Sequence, residues 1–179
     1  MPISSVVSAR GKKHVSGLVT KTDVYEADLV VMCGPLVPDM GLLAQAGSRL
    51  RWNEGSGAFL AEALPPTVSL VGAASGEGVT NREYLPPPSA RSTDAIACLC
   101  MDVSGHDVAE TIEAGMGHIE LIKRFTKLGK SACQGRMCQM AAVCLSSQVS
   151  RQTIAQVGTT VARPPAPPVT CLLYTSRCV

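Results

Sequence analysis

Two tight cysteine pairs constrain this chain more than any other feature. Cys98-Leu-Cys100 is followed, thirty-two residues later, by Cys133-Gln-Gly-Arg-Met-Cys138. One pair cannot saturate a tetrahedral ion or a two-iron cluster, whereas two pairs joined by a fold can. The segment between them reads as small amphipathic helices, and such a unit is marginal below roughly 70 residues without a staple. A centre held by Cys98, Cys100, Cys133 and Cys138 would supply that staple, its binding energy contributing to folding. Zinc and a [2Fe–2S] cluster are the two serious ligands, with a disulfide pair or free thiols as the remaining reading. The Cys-x-Cys gap is tight for zinc, whose structural sites favour gaps of two to four residues.

The helices around those pairs are legible. Ser104 with Asp107 three residues on is a capping box, followed by Val108, Ala109 and Ile112 at helical spacing and stopped by Gly115 and Gly117. A second helix begins near His118, with Ile119, Ile122 and Phe125 on one face and Lys123, Arg124 and Lys127 on the other. The basic face reads as solvated or as a docking patch. A third begins around Arg136, where Met137, Met140, Ala141, Cys144, Leu145 and Val149 recur at steps of three and four, a core stripe that takes in Cys144. Cys138 falls in its first turn. A four-thiolate centre is negatively charged, so a helix N-terminus beside it is favourable, and Arg136, Arg124 or Lys127 could add compensation. His106 and His118 read as solvated helix-end residues, and Cys33 as a small buried hydrophobe.

Residues 1–76 read as part of an α/β domain. Val15 to Val24 has short extended character, and Asp28-Leu-Val-Val-Met-Cys-Gly34 and Thr67-Val-Ser-Leu-Val71 are unbroken apolar runs of the kind covered on both faces in parallel sheets. Asp39 is placed to cap a short helix, Met40 to Ala46, ended by Gly47. The second run leads into Gly72-Ala-Ala-Ser-Gly76, where backbone N–H groups could approach a phosphate; a plain turn is the other reading. No Gly-x-Gly-x-x-Gly is present. Residues 77–93, with Pro86-Pro-Pro-Ser-Ala, read as a linker.

Composition excludes several classes. With 46% hydrophobic and 17% charged residues the chain is of globular composition. A net charge of +2, no Lys/Arg run beyond Lys12-Lys13 and 3% aromatics argue against nucleic acid. No run approaches a membrane span and no signal peptide is evident. Clustered rather than dispersed cysteines point to a reducing cytoplasm.

Cys98-Leu-Cys-Met-Asp-Val, Glu113-Ala-Gly-Met-Gly-His-Ile-Glu-Leu-Ile-Lys-Arg-Phe-Thr126, Cys133-Gln-Gly-Arg-Met-Cys138 and Gly158-Thr-Thr-Val-Ala-Arg-Pro-Pro165 together resemble the heterotetrameric sarcosine oxidase α-subunit family. Opine oxidases, hydrogen cyanide synthases and flavin-dependent amino-acid dehydrogenases are its relatives. The resemblance spans roughly residues 15–170. It implies an α/β fragment, the C-terminal part of a two-dinucleotide-binding flavoprotein domain (1–76), then a linker (77–93). A small all-α four-cysteine domain like bacterioferritin-associated ferredoxin (94–150) follows, and then an extended connector (151–170).

By the same resemblance Cys98, Cys100, Cys133 and Cys138 bind [2Fe–2S], and Gly72, Ala73, Ala74 and Gly76 face FAD in an incomplete site, with NAD left open. The implied function is that of an amine or amino-acid oxidoreductase relaying electrons through the cluster, beside other oxidase subunits and a folate-binding, aminomethyltransferase-like domain. As it stands the chain is expected to catalyse nothing alone. The competing class is a non-enzymatic, zinc-stabilised interaction module. Three features depart from the family: the amino-terminal Rossmann motif is missing, Ala73 follows Gly72 where many flavoproteins have Asp, and the interval from Gly76 to Cys98 is short. Residues 171–179, with Cys171 and Cys178, read as a truncated or foreign tail.

Overall fold

The computed structural model describes residues 6–31, 37–79, 95–131 and 133–163. The chain divides into two compact units, residues 1–36 with 83–85, and residues 37–82 with 86–179. Cys33, the proline-rich linker and Cys171 and Cys178 lie outside the described residues.

The first unit is an antiparallel meander of β1 (Val6–Arg10), β2 (Gly17–Thr20) and β3 (Val24–Glu26) in that order. Gly17 sits opposite Glu26, and a Cβ there would stand 2.7 Å from the Tyr25 carbonyl oxygen, so only glycine lets the strands close. The turn into β3 is closed by Thr20, whose hydroxyl donates to the Asp23 carbonyl and accepts the Asp23 N–H, both at 2.9 Å. The expected buried strand from Asp28 does not form over Asp28–Val31, where Leu29 and Val31 are exposed; its remainder lies outside the described residues. An apolar run is buried only where a layer covers it, and the described part of this unit has three short strands and no helix.

The second unit opens with α1 (Gly41–Gln45), its first N–H accepted by Asp39 Oδ1 at 3.0 Å and its end turned by Gly47 at φ 89°. A hairpin follows, β4 (Leu50–Asn53) on β5 (Ala58–Ala61), with Trp52 opposite Phe59 and their rings edge-on at 5.2 Å. Thr67–Val71 is not a strand, and Val71 is 84% exposed. The described sheets are all antiparallel hairpins or meanders, so the run finds no parallel neighbours to cover it. Gly72–Ser75 is a single 3-10 turn.

Residues 95–163 hold a short hairpin, β6 (Ile96–Cys98) with β7 (Val103–Ser104), and then α2 (Gly105–Glu113), α3 (Ile119–Thr126), α4 (Gln139–Ser150) and α5 (Ile154–Val157). The region is therefore not purely helical, because its first cysteine pair is carried by a strand and the turn after it. The Ser104–Asp107 capping box forms as read: the Ser104 hydroxyl accepts the Asp107 N–H, and Asp107 Oδ2 accepts the Ser104 N–H at 2.7 Å. His118 caps α3, its Nδ1 accepting the Glu120 N–H.

The core is built from Val108 on α2, Ile119 and Ile122 on α3, Leu128 after it, and Ala142, Val143 and Leu145 on α4, with Phe59 of β5 joining them. Two details differ from the periodicity. Phe125 is 60% exposed although it shares a face with Ile122, and Met137 lies outside α4 and is exposed. α4 is buried continuously from Ala142 to Ser146, because small side chains let neighbours close on every side of it.

Candidate metal centre

The structure brings the four expected cysteines together as two sulfur pairs. Cys98 ends β6, and Cys100 lies in the exposed Leu99–Asp102 turn between β6 and β7. Asp102 adopts φ 51° to reverse the chain in so few residues. Cys133 opens, and Cys138 closes, the loop that enters α4; Gln134 and Gly135 both have positive φ, 51° and 86°. This left-handed pair curls the loop so that successive N–H groups point inward.

Cys100 Sγ donates to Cys133 Sγ at 3.6 Å, and Cys138 shares a thiol hydrogen bond with Cys98. Thiolates at about 2.3 Å from a tetrahedral metal are about 3.8 Å apart, so the first pair already spans one edge of such a site. Each pair takes one cysteine from the β6–β7 hairpin and one from the 133–138 loop. Among the described residues, no three or more His, Cys, Asp or Glu side chains gather around a single ion position; the contacts are pairwise.

The two pairs differ in environment. Cys98 and Cys138 are buried, whereas Cys100 is exposed and Cys133 partly so. Burial, then the contact with Cys98, pushes the Cys138 thiol up to about 12. Burial also works against ionising Cys133, but the backbone N–H of Gly135, the Cys100 thiol and the N–H of Met137 outweigh it and hold Cys133 below its ordinary value. Cys100, donating to Cys133, is held above its own. Gly129 N–H serves Cys138 in the same way that Gly135 and Met137 serve Cys133. Gly129 and Gly135 meet backbone to backbone, each close to the other's Cα. N–H donors to sulfur are what stabilise thiolate ligands, so the donor set fits a thiolate-bound metal or cluster.

Several supporting residues carry no local sequence signal. Arg136 Nε donates to Asp39 Oδ2 at 2.8 Å, tying the cysteine loop to the segment before α1 across 97 positions. Burial raises the Asp39 carboxyl, but the Gly41 N–H and the Arg136 guanidinium outweigh it and hold the group below its ordinary value. Lys123 belongs to no open basic face: it donates to the Val161 carbonyl at 2.9 Å, while Glu120 Oε1 accepts the Val161 N–H at 2.6 Å. These bonds clamp the Gly158–Arg163 stretch along α3. Cys144 is buried on α4. A cavity of about 150 Å³ lies beside the loop, walled by Met40, Phe59, Arg136, Gln139, Met140 and Thr160.

The expected flavin-facing segment is different in kind. Gly72 and Gly76 have φ 64° and 88°, Ser75 Oγ donates to the Gly72 carbonyl, and Ala73 is exposed. A Cβ on Gly72 would meet nothing within 4 Å. Among the described residues no strand leads directly into this turn.

The four cysteines thus sit as two sulfur pairs on one hairpin-and-helix unit. The fold is shared over 93% of this chain, and 43% of the other, with L-proline dehydrogenase from P. horikoshii, at a TM-score of 0.74 and 22% identity. Residues 93–175 match the sarcosine oxidase A3 domain. The alpha subunit of sarcosine oxidase from Rhizobium meliloti (strain 1021) is 24% identical over 205 aligned positions, covering 92% of this chain and 21% of that protein. An opine oxidase subunit from the same organism is 28% identical over 88 positions, 48% of this chain and 19% of that one. These comparisons make the chain similar to sarcosine oxidase α-like proteins, and it spans about a fifth of the length of the curated relatives it matches. Among the described residues no helix is long and apolar enough to cross a membrane.

Proposed function

We propose that residues 94–150 are a [2Fe–2S]-binding module and that Cys98, Cys100, Cys133 and Cys138 are its ligands, within a sarcosine oxidase-like flavin oxidoreductase acting on an amine or amino acid. The observation that carries the reading is the meeting of Cys100 and Cys133 at 3.6 Å beside the Cys98–Cys138 contact. Two sulfur pairs suit a centre in which each of two metals takes two thiolates. When bound, such a cluster supplies one-electron transfer.

The chain's own residues have separate parts. Cys98 and Cys138 seat the inner side in the core and exclude water. Gly135, Met137 and Gly129 direct N–H groups at sulfur and so set how readily negative charge accumulates there. The thiol protons, that of Cys138 above all, must leave as metal binds, so loading is favoured by raising pH. Cys100 forms the exposed edge nearest solvent.

The family implies FAD in the whole protein, with NAD in addition left open, and hetero-oligomeric partners with a folate-binding, aminomethyltransferase-like domain in the cytoplasm. In this chain the Gly72-Ala73-Ala74…Gly76 turn stands without its strand, so at most weak FAD binding is expected, and stoichiometric yellow protein on purification would contradict that. Structural zinc on the same cysteines is the competing reading, since a 3.6 Å sulfur edge fits either metal.

Ligand identity is tested by variants. Cys100→Ser and Cys138→Ser should each abolish cluster assembly on iron and sulfide reconstitution, while Cys144→Ser leaves it intact. Loss in the Cys144 variant, or retention in either of the others, would reject the assignment.

A further inference from the structure

The two sulfur pairs sit in contrasting surroundings, and that contrast has a chemical consequence whichever metal the site takes. Cys100 is exposed, lies in a four-residue turn and already touches Cys133 across 3.6 Å. A disulfide needs about 2.05 Å between sulfurs, so the closing movement is about 1.5 Å, within reach of a side-chain rotation in a surface turn. The Cys98–Cys138 pair is in contact as well, but both residues are buried, at 1% and 2% exposure, among Val103, Val108, Ile122 and Val143. An oxidant in solution can reach the first pair and not the second.

Neither within-motif pairing competes well. Cys98 and Cys100 are divided between the buried end of β6 and the exposed turn. Cys133 and Cys138 are held at opposite ends of a loop fixed by the Gln134–Gly135 reversal and the Arg136–Asp39 ion pair.

We propose that the metal-free chain carries a redox modification site at Cys100 and Cys133, which a small disulfide oxidant closes into one reversible bridge between the β6–β7 turn and the 133–138 loop. In the first step one of the two thiolates attacks oxidised glutathione, forming a mixed disulfide and releasing one glutathione thiolate. The second cysteine then attacks the protein sulfur of that mixed disulfide and releases the other glutathione. The two cysteine sulfurs lose two electrons in all, glutathione disulfide gains them, and the two thiol protons end on two glutathione molecules. The bridge removes two of the four sulfur ligands, so the oxidised chain is closed to metal until a thiol reductant reopens it.

The test uses the full chain, stripped of metal by chelator under reducing conditions, desalted anaerobically and exposed to oxidised glutathione. Trypsin separates the relevant cysteines: residues 92–123 carry Cys98 and Cys100, residues 131–136 carry Cys133, and residues 137–151 carry Cys138 and Cys144. The expected first product is 92–123 joined to 131–136, with fragmentation across Leu99 placing the bond on Cys100, and with 137–151 recovered as free thiols. Dithiothreitol should return all of it to the reduced form. A first product joining 92–123 to 137–151, a bond on Cys98, or persistence of both peptides as thiols or glutathione adducts would overturn the proposal. These outcomes do not depend on whether the reduced site prefers iron–sulfur or zinc.

Discussion

Ile122 and Phe125 lie one turn apart on α3 and are indistinguishable by periodicity, yet the structure buries one and exposes the other. Ile122 is fully buried, in the cluster with Val108, Leu128 and Val143, whereas Phe125 is 60% exposed. Ile122→Ala removes three carbons, worth about 2.4 kcal/mol at roughly 0.8 kcal/mol per buried methylene. If about 40 Å³ of the vacated space persists, the cavity adds about 1 kcal/mol at roughly 24 cal/mol per Å³. The expected loss is thus about 3.4 kcal/mol, a large share of the roughly 5–15 kcal/mol that holds an ordinary domain together. Phe125→Ala should cost about 0.5 kcal/mol or less, as for other surface changes. Urea denaturation followed by far-ultraviolet circular dichroism gives both numbers. With a slope of about 1.7 kcal/mol/M, the Ile122→Ala midpoint falls by about 2 M and the Phe125→Ala midpoint by under about 0.3 M. Equal losses, or a larger loss at Phe125, would refute the packing described for α3.

Other expectations concern the capping box and the clamp on α3. Ser104→Ala should destabilise the chain by about 1 kcal/mol, measured by the same urea titration, and a cost near zero would show that the box does not hold α2. Asp107 is kept below its ordinary pKa by the Ser104 hydroxyl and then the Ser104 N–H. Its contribution is therefore present above the unfolded value near 3.8 and is lost as pH falls through the folded value. Asp107→Asn should accordingly flatten the acid limb of a stability–pH curve below about pH 4; an unchanged limb would contradict this. Glu120→Gln and Lys123→Met weaken the bonds to Val161, and limited proteolysis with proteinase K should then cut within residues 158–163 sooner than in the parent chain, whereas an unchanged cleavage rate would contradict the clamp.

Local patterns carried most of what surrounds the site. The Ser104–Asp107 box, the His118 start of α3 and the cysteine spacing all depend on residues within a few positions of each other, and these were legible. The apolar runs at Asp28 and Thr67 were not, because whether such a run becomes a buried strand depends on layers that cover it, and the described sheets here are antiparallel. Phe125 and Met137 failed for a related reason. A face can be read from sequence, but the extent to which a neighbour reaches along it cannot. The Arg136–Asp39 ion pair joins positions 97 apart and leaves no mark on either local segment. The two-by-two grouping of the sulfurs, each pair drawing one cysteine from each motif, also emerges only when hairpin and loop are brought together.

Two distant cysteine motifs are proposed here to hold one redox-active inorganic core between them. Anaerobic reconstitution of the reduced chain with iron and sulfide, followed by visible absorption and metal analysis, tests it most directly. The expected product is a coloured protein with about two irons and two sulfides per chain, bleached on one-electron reduction. A colourless chain that takes up zinc instead, and stays redox-silent after reconstitution, would contradict it.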